Sequence, residues 1–231
     1  MTITKPVLLS DEHIIQIPVH DNGEALVDLR DLGISCPSPG PSAHHSLVRK
    51  GLGERLVLAS RFLPRGIKLH VVEGFRPNQL QRRLYNDYRL ELLSSDPTLT
   101  SSQSHLLASR FVAPIEVAPH VAGAAVDLTL IDHNDKPLDM GTPIDATPDA
   151  SNGACYFEAT NISSDARENR DLLADVLTSV GLVNYSTEWW HWSYGDRYWA
   201  YMHDREHAIY GPIENEQTGK GSDMNTPPPS N

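Results

Sequence analysis

Three side chains of the types that bind a transition metal stand out in the sequence. His120 and Asp127 lie seven positions apart across a Gly-Ala turn, and His191 ends the segment Glu-Trp-Trp-His. A catalytic zinc ion takes three protein ligands from His, Asp or Glu and keeps one position for water. Two imidazoles and one carboxylate leave the ion with a net positive charge, which acidifies that water. These residue types would suit one zinc ion per chain, although a given histidine is more often a satisfied surface or core residue than a metal ligand.

Glu188 and Arg76 are candidates for the catalytic groups beside such an ion. A carboxylate near the metal but not bound to it is the expected general base for the water, and Glu188 precedes His191 by three residues. On a strand these two side chains would point to opposite faces, so a turn or bulge must lie between them. Arg76 could stabilise the oxyanion formed when water attacks a carbonyl. A structural ion pair with Glu73 is the alternative for Arg76.

The other histidines, tryptophans and cysteines are expected to be structural. Trp189 and Trp190 are expected in the core, since tryptophan mostly supplies buried area. Cys36 and Cys155 form no C-x-x-C pair, which argues against a thiolate zinc site, and a reducing cytoplasm disfavours a disulfide between them. The histidines expected to be structural have no carboxylate at a spacing that would suggest a shared metal site; they are His44, His45, His70, His105, His133, His203 and His207.

Composition bounds the class of protein. The 231 residues, 39% hydrophobic and 21% charged, are typical of one soluble globular domain. The net charge of −11 argues against a nucleic-acid partner, which requires a basic surface. No stretch approaches the ~20 apolar residues of a membrane span, and the apolar run at residues 7–9 is short for a signal peptide. A cytoplasmic location and no membrane partner are expected.

Hydrophobic periodicity predicts an α+β fold with helices packed on one face of the strands. Leu80, Leu84, Tyr88 and Leu92 recur at helical spacing, and Ser164 is predicted to cap a later helix that ends at Gly181. Polar loops are predicted at 94–104 and 131–163. The predicted strands are 67–72, 125–131 and 188–194, and the predicted helices are 46–62, 78–93 and 164–181.

One domain with two irregular ends is predicted. Residues 1–45 are rich in turn formers and are expected to form an arm that wraps the same domain. Residues 46–213 are expected to form that domain, and the polar residues 214–231 a disordered tail.

Four motifs together resemble the D-alanyl-D-alanine dipeptidases of the vancomycin-resistance type. They are Glu-Gly-Phe-Arg-Pro (73–77), His-x-x-Gly-x-Ala-x-Asp-Leu-Thr-Leu (120–130), Met-Gly-Thr-Pro-Ile-Asp (140–145) and Glu-Trp-Trp-His (188–191). That family belongs to the zinc D,D-peptidases, which share a metal-site fold with D,D-carboxypeptidases and the hedgehog signalling domain. The resemblance implies a small antiparallel sheet that carries a zinc site.

The resemblance also implies a role for each candidate residue. His120, Asp127 and His191 match the family's zinc ligands. Glu188 matches its catalytic base, and Arg76 matches the residue that stabilises the tetrahedral intermediate.

Substrate recognition is where this sequence departs from the family. Asp145 matches the carboxylate that receives the free amino group of the dipeptide, although it could be a plain turn residue. The family usually has Ser two positions before the first His, where this chain has Ala118. The family's N-terminal tyrosine and Asn-Phe segment has no equivalent in residues 20–46.

The expected activity is zinc-dependent hydrolysis of D-alanyl-D-alanine or a related D-amino-acid dipeptide, with this small dipeptide as the partner. One alternative is a D,D-carboxypeptidase or murein endopeptidase that acts on longer peptides. Another is a zinc-stabilised binding domain without turnover. Glu188 and Arg76 weigh against that last alternative, since metal stabilisation alone requires neither.

Overall fold

Six strands and seven helices make up the part of the chain that the structure, a computed structural model, describes: residues 6–109, 112–114 and 116–213. The predicted tail and the first five residues of the predicted arm lie outside it. The strands are β1 (Leu26–Asp28), β2 (Leu47–Arg49), β3 (Lys68–Glu73), β4 (Ala125–Ile131), β5 (Val183–Asn184) and β6 (His191–Ser193). The helices are α1 (Glu12–Ile15), α2 (Lys50–Ser60), α3 (Asn78–Ser95), α4 (Ser101–Ala108), α5 (Pro148–Ser151), α6 (Ser164–Ser179) and α7 (Arg197–Met202), and a 3-10 turn spans Pro119–Ala122.

A four-stranded antiparallel sheet in the order β3-β4-β6-β5 forms the centre of the fold. Every residue of β4 is buried, as expected for a central strand rich in Val, Leu and Ile. Helices α2 and α6 pack against each other and against this sheet, so they cover the same face. The predicted α+β class, with a small antiparallel sheet and helices on one face, is confirmed.

The core between α2, α6 and the sheet is built from aliphatic residues and tryptophans. Leu52 and Leu56 of α2, with Leu173 and Leu177 of α6, are fully buried there. Helix α6 begins at Ser164, the residue that was predicted to cap it, and the cap lies one residue earlier, because Ser163 accepts the hydrogen bond from the Ala166 N–H. Among the described residues, no helix is both long and apolar enough to cross a bilayer.

Several predicted boundaries were wrong for identifiable reasons. The helix predicted over 46–62 begins only at Lys50, because Leu47–Arg49 pairs with β1 as a strand. The strand predicted over 188–194 is reduced to His191–Ser193, and the preceding residues form a loop. Helix α4 begins inside the predicted loop 94–104, where Thr100 and Gln103 form a capping box.

The buried side chain of Arg49 attaches the N-terminal arm to the rest of the domain. Arg49 donates to the Glu24 carbonyl (2.6 Å), to Asp21 (2.6 Å) and to the Ala122 carbonyl (2.9 Å), which joins the arm to the turn after His120. Strand β1 therefore lies against β2 beside the central sheet, although residues 1–45 were predicted to be irregular. The predicted division at residue 45 stays a prediction.

The long loop predicted over 131–163 is organised by Arg170, which is fully buried on α6. Its guanidinium donates to the backbone carbonyls of Met140 (2.8 Å), Ala154 (2.7 Å) and Tyr156 (2.6 Å), with a longer contact to Phe157 (3.3 Å). A single side chain thereby fixes two distant parts of the loop.

We expect Arg170→Met to destabilise the protein by about 3–5 kcal/mol, because it leaves several buried carbonyls without a donor. Urea or thermal unfolding of the zinc-loaded chain measures this. Arg83→Met is the matched control: Arg83 is exposed on α3, and among the described residues its side chain has no hydrogen bond or ion pair, so its loss is expected to cost about 0.5 kcal/mol or less. Equal losses in the two variants would contradict this account of the loop.

Candidate metal centre and its cleft

Strand register brings two of the three predicted ligands side by side. Asp127 of β4 is paired directly with His191 of β6, and side chains opposite each other on antiparallel strands lie on the same face. His120 reaches the same place from the 3-10 turn that leads into β4. All three residues are buried, with exposed fractions of 4–5%.

The donor atoms of this cluster have the spacing of a zinc site. His191 Nδ1 lies 3.0 Å from Asp127 Oδ1 and 3.2 Å from His120 Nε2, and His120 Nε2 lies 3.4 Å from Asp127 Oδ2. Tetrahedral zinc with bonds of about 2.0–2.1 Å places its ligand atoms about 3.3 Å apart. Two imidazoles and a carboxylate at this spacing fit zinc.

The backbone around His120 selects which ring nitrogen faces the cluster. His120 Nδ1 lies 2.7 Å from the Gly74 carbonyl, an acceptor only, so Nδ1 carries the proton and Nε2 offers its lone pair. A Cβ on Gly74 would lie 2.5 Å from the Leu47 carbonyl oxygen, so only glycine allows this approach. Gly123 has φ +63°, and a Cβ there would meet Leu26 at 2.6 Å. Steric constraints therefore favour glycine at both positions.

Charges in the cluster stabilise each other. Burial alone would raise the pKa of Asp127, but His120 and His191 outweigh it and hold that pKa far below its usual range. Burial likewise opposes the charged form of His120, and the Asp127 carboxylate nevertheless raises its pKa. A buried carboxylate kept ionised between two imidazoles suits a cation at their centre. The Nε2 atom of His191 is buried and has no hydrogen-bond partner among the described residues.

Glu188 lies beside this cluster in the loop between β5 and β6. Its Oε2 is 3.9 Å from His191 Nδ1, farther than the three candidate ligands are from each other. The turn that the sequence required between Glu188 and His191 is present, because residues 185–190 form a loop and only His191 enters the strand. Burial raises the pKa of Glu188 to about 7 against the opposing effect of His191, and Asp127 and Asp145 raise it further. A carboxyl group in this range is suited to exchange protons near neutral pH.

Arg76 makes the ion pair that was its structural alternative and also lines the cleft. Its Nε–H and Nη2–H donate to the two oxygens of Glu73, and Nη1–H donates to Gln81 Oε1 at 2.8 Å. Although burial opposes it, Glu73 raises the pKa of Arg76, so the guanidinium stays charged. Of its five N–H groups, one on Nη1 and one on Nη2 remain for another acceptor. The two interpretations of Arg76 are therefore compatible.

Gln81 was not identified from the sequence. It is the one buried residue of α3, with an exposed fraction of 1%, and its Nε2 donates to the Ala113 carbonyl at 2.7 Å. Arg76 only donates and the carbonyl only accepts, so a single amide orientation satisfies both. A buried polar residue in an amphipathic helix was the available signal.

Asp145 lies at the exposed edge of the same cleft. It has φ +64°, a left-handed conformation that aspartate tolerates better than most residues. Partial burial raises its pKa, and the nearby carboxylates of Asp127 and Glu73 raise it further, while Arg76 lowers it. An acidic group in this setting favours a cationic partner.

A cleft of about 590 Å³ contains all six predicted site residues. One wall is α3, whose predicted apolar stripe supplies Leu80, Leu84 and Tyr88 to the cleft and not to the core. Ala118 lies in the lining where a serine was expected from the resemblance. Leu9, Pro41 and Ser42 contribute the N-terminal part of the wall.

Residues expected to be structural lie outside the metal cluster. Trp189 and Trp190 are buried, as predicted, and pack edge to face with ring centroids 5.5 Å apart; Trp190 also lines the cleft. His70 Nδ1 bonds the Ser35 hydroxyl at 2.8 Å. The two cysteines are free thiols.

The family model and the curated relatives that match this chain all belong to one family. Residues 40–210 match the Peptidase M15 family model, described as D-Ala-D-Ala dipeptidase. A D-alanyl-D-alanine dipeptidase of Synechocystis sp. is 27% identical over 238 residues, covering 87% of this chain and 96% of the relative. Another, from Escherichia coli, is 30% identical over 127 residues and covers 54% of each chain.

Similarity to solved structures is weaker. A Zn(II) complex of a mutant of the vancomycin-resistance D,D-pentapeptidase VanY has a TM-score of 0.44 and 16% identity, over 83% of this chain and 90% of that one. The LD-carboxypeptidase LdcB has a TM-score of 0.46 and 16% identity, over 82% and 76% of the two chains.

Proposed function

We propose that this chain, which belongs to the D-Ala-D-Ala dipeptidase family of peptidases, hydrolyses D-alanyl-D-alanine or a related D-amino-acid dipeptide with the aid of zinc. The observation that carries the proposal is the cluster of His120, Asp127 and His191, with Glu188 at 3.9 Å in the same cleft. The free thiols of both cysteines support a cytoplasmic location.

Each side chain has a chemical task in this proposal. Zinc held by the three ligands supplies Lewis acidity and lowers the pKa of a water molecule. Glu188 takes the proton from the attacking water and delivers it to the nitrogen of the leaving amine. Arg76 directs its two remaining N–H groups at the oxygen that becomes negative. Glu73 and Gln81 hold that guanidinium, so little reorganisation is needed during the reaction.

A dipeptide panel of mixed stereochemistry, with zinc-loaded protein, tests the proposal. We expect D-Ala-D-Ala to be hydrolysed and L-Ala-L-Ala to be left intact. Zinc binding without hydrolysis of any member of the panel would contradict it and would favour a binding domain without turnover.

Asp145 is proposed to receive the substrate ammonium group. A charge-assisted contact contributes about 1.5–3 kcal/mol, so we expect Asp145→Asn to lower kcat/KM for free D-Ala-D-Ala by roughly 10- to 100-fold, mainly through KM. Asp149→Asn, an exposed aspartate on α5, is the matched control and is expected to change neither constant. Unchanged kinetics in Asp145→Asn would remove Asp145 from the site.

The size of the cleft is also compatible with a second candidate function. Pockets of about 300–1,000 Å³ hold drug-sized ligands, and at about 590 Å³ this cleft has room for more than a two-residue substrate. A D,D-carboxypeptidase or murein endopeptidase would use the apolar wall of α3 for the additional residues. N-acetyl-D-Ala-D-Ala separates the candidates, because a dipeptidase that requires a free ammonium group leaves it intact.

A further inference from the structure

The loop between β5 and β6 must hold two reactive side chains in one arrangement. It runs over residues 185–190, carries Glu188, and ends where His191 enters the sheet. Backbone N–H groups of Glu188, Phe157 and Leu128 donate to the carbonyls of Tyr185, Ser186 and Trp190, but the Glu188 carbonyl has only a long backbone contact of 3.3 Å. The end of the loop that carries Glu188 therefore needs further donors. The position of Glu188 relative to His191 depends on how this loop is closed.

Asn184, at the base of the loop, supplies those donors. Its Nδ2 lies 3.0 Å from the Glu188 carbonyl and 3.1 Å from the His191 carbonyl, with a longer contact of 3.4 Å to Trp189. The amide has two N–H groups, so the two shorter contacts account for both. These two hydrogen bonds connect Asn184, the residue before the loop, to the backbone of both Glu188 and His191.

Backbone bonds within the loop complete the same closure. The Tyr185 N–H donates to the His191 carbonyl at 3.0 Å, and the Glu188 N–H donates to the Tyr185 carbonyl at 2.8 Å. The His191 N–H lies 3.3 Å from the Glu188 carbonyl, a longer contact than the one that Asn184 makes to that oxygen. Asn184 does not contribute to the lining of the cleft. It can therefore affect the chemistry only through the residues that it holds.

We propose that Asn184 is a positioning residue that closes the 185–190 loop and thereby holds the Glu188 carboxylate beside the ligand nitrogen of His191. The roles of Glu188 and His191 in this inference rest on the proposed function. Because both residues lie on the segment that Asn184 closes, one substitution should disturb metal binding and proton transfer together, while Asp145 and Arg76, held elsewhere, remain in place.

Asn184→Asp tests this with almost no change in volume, since it replaces the N–H donors by an oxygen that faces carbonyl oxygens. We expect zinc affinity to fall roughly 10- to 100-fold, the range seen when residues that orient metal ligands are replaced. At saturating zinc, kcat for D-Ala-D-Ala should fall at least about tenfold with KM nearly unchanged. Asn161→Asp is the matched control, because Asn161 is exposed and its Nδ2 also donates to a backbone carbonyl, that of Asn152 at 3.0 Å.

Zinc affinity is measured by competition with a chromogenic chelator on folded protein, and thermal unfolding is recorded in parallel. Asn184→Ser keeps one donor and is expected to lie between Asn184→Asp and the wild type, which covers the case in which the aspartate variant does not fold. Wild-type zinc affinity and kcat in a folded variant whose unfolding temperature is lowered would overturn the proposal, since that is the behaviour of a purely structural residue. If wild-type protein hydrolyses no dipeptide, the proposed function fails while the zinc comparison still decides the role of Asn184.

Discussion

Replacing Glu188 by glutamine is expected to leave zinc binding intact and to lower kcat for D-Ala-D-Ala by about a thousandfold or more. General acid–base catalysis typically contributes about 10²- to 10⁴-fold, and here one carboxyl group would both accept the proton from water and return it to the leaving amine. A thousandfold loss corresponds to about 4 kcal/mol in the activation barrier. Glutamine has the same shape but accepts no proton, so the loss isolates the chemistry of the carboxylate.

Glu91→Gln is the control for this substitution. Glu91 lies on α3, lines the same cleft and loses the same charge when it is replaced, but it is not one of the three residues whose donor atoms form the metal cluster. We expect its kcat to stay within a factor of about two of the wild type. Zinc content should be measured in both variants, because loss of metal would mimic loss of the base. A zinc-loaded Glu188→Gln enzyme with near wild-type kcat would exclude Glu188 as the base.

The candidate site could be predicted because its residue types are chemically distinctive. Few residue types bind zinc, and His120 and Asp127 lie in one short motif while His191 lies in another. The glycines Gly74 and Gly123, in the first two motifs, are required for steric reasons. The need for a turn between Glu188 and His191 followed from strand geometry alone. Spacing made these residues plausible, and the motifs in their order along the chain made the family recognisable.

The residues that support the site could not be predicted in the same way. Gln81, Asn184 and Arg170 all act by donating to backbone carbonyls. Every residue offers a carbonyl, so such contacts leave no pattern in the sequence. Arg170 joins carbonyls at least 13 residues away along the chain, and only the folded loop shows which they are. Arg170 also explains how the 131–163 loop, rich in Pro, Gly and Asp, keeps a defined shape.

The predicted bounds of α3 agree closely with the structure, but the surface that its apolar stripe faces and the length of one strand could not be predicted. Helix α3 has helical periodicity, but periodicity does not tell a core from the wall of a cleft. Its stripe of Leu80, Leu84 and Tyr88 faces the cleft, where apolar surface is useful for binding. The strand over 188–194 was predicted too long, because an aromatic run favours a strand even where a loop is needed to present Glu188.

Asp127→Asn is expected to have the second large effect, through the metal itself. The variant keeps the size of the side chain but removes the negative charge between two buried imidazoles. Replacing residues that merely orient metal ligands already weakens affinity about 10- to 100-fold, so loss of a charged ligand should weaken zinc binding more than about a hundredfold. Hydrolysis of D-Ala-D-Ala should be lost at zinc concentrations that saturate the wild type.

Linkage between metal binding and folding gives this prediction a readout that does not depend on activity. At zinc equal to about 100 times its Kd, the wild type gains about 2.7 kcal/mol of stability, whereas a variant with a hundredfold weaker site gains about 0.4 kcal/mol. Unfolding each protein with and without zinc measures that gain and cancels the effect of the substitution on the metal-free fold. Asp135→Asn, at a 72% exposed aspartate just beyond β4, should gain as much as the wild type. An equal gain in Asp127→Asn would mean that zinc binds elsewhere, because a ligand stabilises only through the site that holds it.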